Sequence, residues 1–83
     1  MRVRLHPHAW ARLEERGATE AEVRATVEEG ERFAAKFWRT GFRRNFTYNS
    51  MWLGRFFATK QVETIAAEEE QECLVTTTSV RFF

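Results

Sequence analysis

The sequence predicts an α+β fold, an N-terminal αα-hairpin packed on one face of a four- or five-stranded antiparallel sheet. Three observations carry this. The front third spaces its apolar residues at helical intervals and brackets them with caps. From Glu31 onward the apolar pattern changes to period two. Strands that follow one another directly, after two consecutive helices, favour antiparallel pairing with the helices on one side.

Arg2–Leu5 fits a short edge strand ended by Pro7, which is tolerated at the first position of a helix because its missing N–H has no intrahelical partner there. Ala9, Trp10 and Leu13 form the apolar stripe of the first helix, and Gly17 stands where a C-terminal cap is needed. Thr19 with Glu22 matches a capping box, and Val23, Thr26 and Val27 mark the buried stripe of a second helix ended by Gly30. In the next strand Phe42, Arg44, Phe46 and Tyr48 share one face, and Arg43, Asn45 and Thr47 share the other. Thr40-Gly41 and Asn49-Ser50 read as turns on either side of it. Trp52–Thr59 and Lys60–Ala67 read as one long bent strand or two, with Gly54 as a bulge or kink. Glu68–Glu72 is a solvated loop, and Leu74, Thr76, Thr78, Val80 and Phe82 alternate to the end. Trp38, Phe42, Phe46 and Phe56 are expected in the core.

Residues 1–83 make a single domain, since a chain of this length has no core to divide. Its 14% aromatic content supplies large buried areas and argues against disorder. A lone cysteine, Cys73, permits no internal disulfide and fits a reducing, cytoplasmic setting, where it is expected as a buried structural thiol. No apolar run is long enough for a membrane span, and no secretory leader is expected. No cofactor or metal is expected either: there is no glycine-rich phosphate loop, and His6-x-His8 alone is half a ligand set.

The net charge of +1 hides an asymmetry. Residues 32–60 contain no carboxylate but seven cations, Arg32, Lys36, Arg39, Arg43, Arg44, Arg55 and Lys60, together with nine of the twelve aromatics. As sheet, this stretch offers one apolar and one cationic face, and a cationic face suits a polyanion such as RNA. The competing reading is that the flanking glutamates neutralise it across the fold. Lys36, Arg43, Arg44 and Arg55 are the candidate phosphate contacts. Tyr48 and Trp52, near turns and with polar handles, are the candidates for stacking on bases. Val80-Arg81-Phe82-Phe83 puts apolar bulk at a sheet edge, suited to a homodimer seam or to a partner strand.

His8-Ala9, Arg12-Leu13 and Glu15-Arg16-Gly17, followed by the Thr-x-x-Glu cap, resemble the opening of a family of small bacterial and archaeal domains of unknown function. Gly30-Glu31-Arg32-Phe33, Thr40-Gly41-Phe42-Arg43-Arg44-Asn45-Phe46, Thr59-Lys60-Gln61-Val62-Glu63 and Leu74-Val75-Thr76 resemble its later blocks in the same order. Thr64 departs from the pattern, where an apolar residue is expected. That family in turn resembles the RelE, colicin-D and barnase-like group of small ribonuclease folds. The resemblance implies an RNA-directed protein, a metal-independent endoribonuclease or toxin with an antitoxin-like protein partner. Under it, His8 is the acid/base group, with Arg12 and Lys60 completing the catalytic set and Arg44 adding charge at the scissile phosphate. Thr76 is a further hydrogen-bond donor to phosphate. A capping role for His8, a non-catalytic RNA- or protein-binding module and a homodimeric structural module remain open alternatives.

Overall fold

The computed structural model describes residues 2–83. Strand β1 (Arg2–Leu5) runs into helix α1 (Pro7–Arg16), followed by α2 (Glu20–Glu29) and strands β2 (Glu31–Ala34), β3 (Thr40–Trp52), β4 (Arg55–Glu68) and β5 (Glu72–Phe82). The helical hairpin forms for the reasons its sequence suggests. Pro7 occupies the first turn of α1, and Gly17 closes it in the left-handed region, its N–H donating to Glu14 O. At α2 the Glu22 N–H donates to Thr19 Oγ1 and the Thr19 N–H to Glu22 Oε1, a complete capping box worth about 1 kcal/mol.

The five strands form one sheet in the order β1-β5-β4-β3-β2. The sheet is mixed, not purely antiparallel, because β1 pairs parallel to β5 with Val3 opposite Cys73. The helical hairpin separates β1 from every other strand, so no tight turn forces it to reverse direction. The helices cover one face only. Ala9 and Leu13 of α1 and Val23 of α2 pack there against Val3, Phe42, Ala66, Cys73 and Val75 of the sheet, all buried. Trp10 departs from its expected stripe: Ala9 and Leu13 are buried, while Trp10 lies more than half exposed.

Both turns expected around β3 fall elsewhere. The β2–β3 hairpin turns at Phe37-Trp38, closed by the Arg39 N–H donating to Lys36 O at 3.3 Å. Gly41 lies inside the ladder opposite Phe33, whose ring covers it so closely that a Cβ there would run into the ring. At Asn49, with φ 45°, the chain does not turn back; the ladder skips from Thr47 to Ser50 as a β-bulge. The real β3–β4 turn is Leu53-Gly54, both with positive φ, between the paired Trp52 and Arg55. Gly54 is therefore turn, not kink, and β4 is one continuous strand. A second register shift, between Ile65 and Ala66, leaves Thr76 without a partner on β4. Inward-facing residues on β5 switch there from Cys73 and Val75 to Thr78, Val80 and Phe82, so the expected even-numbered alternation holds only after the bulge. Of the expected loop Glu68–Glu72 only Glu69–Gln71 lie outside the strands, since Glu68 ends β4 and Glu72 begins β5.

Candidate functional site

Most cations of the acid-free stretch end on glutamates from outside it. Arg32 donates to Glu68 at 2.6 Å, and Arg44 to Glu29 at 2.7 Å. Arg43 lies between Glu63 at 3.0 Å and Glu31 at 3.4 Å, with its guanidinium over the Phe33 ring. Lys60 points inward beneath the turn between the helices. Only 6% exposed, it bonds Gly17 O at 2.9 Å and Glu22 at 2.8 Å and lies over the Tyr48 ring. Its position follows from the register. Lys60 alternates with Val62, Thr64 and Ala66 on the face the helices cover, and the capping-box glutamate neutralises it there. The broad cationic face expected of this stretch is thus largely neutralised.

Three of the seven cations have no carboxylate in ion-pair reach among the described residues: Lys36, Arg39 and Arg55. Arg55 sits at the β3–β4 turn, over Phe57. Lys36 and Arg39 flank Phe37 and Trp38, the two central residues of the β2–β3 turn. Both aromatics have left-handed backbones, φ 60° and 62°, and stand out into solvent at 85% and 102% exposure. Two-residue hairpin turns of this kind favour Asn-Gly, because side chains with a Cβ are strained at positive φ. Phe-Trp accepts that cost twice and gains no burial in return. Backbone strain of this kind tends to gather at functional sites. Arg39 also reaches across the uncovered face to Thr76 Oγ1 at 3.0 Å, while the Thr76 hydroxyl donates to Ile65 O. A concavity beside the turn is lined by Arg32, Phe33, Ala34, Ala35, Trp38, Arg39 and Thr40.

The expected stacking residues are occupied within the fold. Trp52 stacks on Phe82 with ring centres 4.9 Å apart, and Tyr48 packs on the same ring at 5.1 Å while its hydroxyl donates to Met51 O. Of the expected core aromatics only Phe42 is fully buried; Phe46 is half-buried, Phe56 is more than half exposed, and Trp38 is bare.

The proposed catalytic residues do not meet. His8 and Arg12 are exposed on α1, Arg12 at 4.0 Å from Glu15, whereas Lys60 is buried below the hairpin and Thr76 bonds Arg39 on the uncovered face. The capping imidazole is His6, whose Nδ1 accepts from the His8 N–H at 3.1 Å. No group of three or more potential metal ligands occurs among the described residues. Cys73 is fully buried, and burial, reinforced by the charge of Glu68 and opposed by Arg32, raises its pKa above 9.0. No helix of the described residues is long and apolar enough to cross a membrane.

The sequence does not mark Arg39, Phe37 or the exposure of Trp38 as belonging to a site. The signal for them is the break in alternation between Ala34 and Thr40, a gap whose aromatics resemble core residues until the strand pairing is known. No protein-family model, no curated protein and no solved structure matches the chain.

Proposed function

We propose that the protein is a non-catalytic binding module for single-stranded RNA, and that the β2–β3 turn is its contact point. What supports the reading is one juxtaposition: two cations without carboxylate partners flank the two most exposed aromatics, held out by a strained backbone. Trp38 offers a π-face to an unpaired base. Lys36 and Arg39 supply charge for the adjoining phosphates. Binding of a single-stranded RNA octamer should weaken steeply with salt, with a log–log slope of roughly −0.7 per phosphate contact. Trp38→Ala should weaken it about tenfold or more, the loss expected of one stacked base. A flat salt response, or a Trp38→Ala variant that binds as the parent does, removes the reading.

One observation favours the metal-independent endoribonuclease as a second reading, together with its RelE-like kinship and toxin role. His8 and Arg12 lie one turn apart on the exposed side of α1, available to a substrate. On this reading His8→Ala abolishes RNA cleavage without changing affinity, and a parent protein that leaves RNA intact ends it. An antitoxin-like protein or a second copy of the chain would find open strand edges instead. β2 pairs with β3 only as far as Arg43, and β1 pairs with β5 only as far as Val75. Sedimentation at twice 9.8 kDa would support the homodimer, and a monomer would exclude it.

A further inference from the structure

The uncovered face of the sheet carries side chains in rows that lead away from the β2–β3 turn. Asn45, Gln61 and Arg81 stand side by side on β3, β4 and β5, and Gln61 Nε2 donates to Asn45 Oδ1 at 2.9 Å. The next row is Arg43, Glu63 and Ser79; the one after is Gly41 under Phe33, with Ile65 and Thr77. The last is Arg39 with Thr76. Alternate residues of a strand recur about every 7 Å, so the four rows span about 20 Å from Arg39 to Arg81.

Between the first two rows lies a concavity of about 430 Å³ lined by Arg43, Gln61, Glu63, Ser79, Val80 and Arg81. The lining holds two guanidinium groups, Arg43 and Arg81, against one carboxylate, Glu63. Arg43 is shared between Glu63 and the neighbouring Glu31, so the four charges cancel and Arg81 is the one left outside an ion pair. Arg81 has no carboxylate in ion-pair reach among the described residues; its guanidinium lies 5.0 Å from the centre of the exposed Phe83 ring. The Ser79 hydroxyl and the Gln61 amide add neutral donors at the same place. The unpaired Arg81 guanidinium and these donors suit an oxyanion, at the opposite end of the face from the bare tryptophan.

We infer that this concavity holds a backbone phosphate of the same single-stranded RNA whose base stacks on Trp38, and that the strand runs along the uncovered face over about four nucleotides, one per row. The inference rests on the RNA reading of the turn and deepens it. Arg81 is the anchor at the far end, Arg39 the anchor at the near end. Between the two anchors lies the row of Ile65 and Thr77, with the Phe33 ring over Gly41 at one side.

The test uses the full chain and uridylate oligomers of two, four and eight nucleotides in fluorescence anisotropy at low salt. The tetramer should bind about tenfold tighter than the dimer, with little further gain for the octamer. Arg81→Gln should weaken the tetramer about tenfold and leave the dimer unchanged, the loss of one charge-assisted phosphate contact. Arg81 is exposed, so its replacement should leave the circular dichroism unaltered. Equal affinity for dimer and tetramer, or an Arg81→Gln variant within twofold of the parent on the tetramer, overturns the track. If binding then remains sensitive to Trp38→Ala, only the track falls. If no oligomer binds, the reading of the turn falls with it.

Discussion

Lys36 and Lys60 are the only lysines of the chain, and both belong to the same acid-free stretch, yet they occupy opposite environments. Lys60 lies under the helical hairpin, where Glu22, Gly17 O and the Tyr48 ring surround its ammonium. Lys36 stands exposed at the corner of a hairpin turn beside two bare aromatics. The difference teaches that local charge composition does not locate a binding surface. Strand register decides which cations the fold consumes, and the remainder is available to a ligand.

The largest expected effect breaks the buried half of this comparison. Lys60→Met leaves the half-sequestered Glu22 carboxylate without its cation, and removing one partner of a buried pair is costly. Thermal or denaturant unfolding should show a loss of about 3 kcal/mol. Lys36→Met should leave stability unchanged within about 0.5 kcal/mol and weaken RNA binding instead. Equal stability of the two variants would erase the distinction between the lysines.

A smaller effect is expected where the two hairpin turns are compared. Leu53-Gly54 meets the backbone demand at one position with glycine, whereas Phe37-Trp38 meets it at neither. Phe37→Asn with Trp38→Gly should therefore stabilise the protein by about 1–2 kcal/mol, several degrees in Tm, while RNA affinity is lost. Leu53→Asn should add about 0.5–1 kcal/mol and leave RNA affinity intact. Gly54→Ala should cost about 1 kcal/mol through its positive φ alone, since open space surrounds that position. If the double replacement at the first turn fails to stabilise, the turn is not strained and the case for its function loses its physical basis.

The helical hairpin was legible because its signals are local. Pro7, Gly17, Thr19 and Glu22 act within one turn of the chain, and they act as expected. The strands were legible as alternation, but their turns were not. Gly41 resembles a turn residue and proves to be a seat for the Phe33 ring; Asn49 resembles one and proves to be a bulge. Both serve neighbours whose identity depends on the pairing of distant strands. The parallel pairing of β1 was hidden for the same reason. Lys60 and Thr76 suit phosphate chemistry only until the inward face of β4 and the bulge on β5 are seen. Arg81 is hidden in the sequence because its neighbours Val80 and Phe82 suggest an apolar edge, although their inward packing is what turns Arg81 outward.

The smallest expected effect concerns Cys73, which serves as a reporter for the covered face. Its raised pKa means that the folded state holds the thiol proton more tightly than the unfolded chain. Stability from this source is complete below the ordinary thiol pKa and declines as pH rises above about 9.0 toward the raised folded value. Alkylation of the folded protein at pH 8 should be slow and should accelerate in Lys60→Met, but not in the stabilising turn variants. Rapid alkylation of the parent would contradict the burial of Cys73.

Amide chemical-shift mapping during titration with a single-stranded RNA octamer tests the central claim most directly. The account predicts shifts at residues 36–43, 61 and 79–81, along the turn and the uncovered face. Shifts confined to α1 around His8 and Arg12, or no shifts at all, would contradict it.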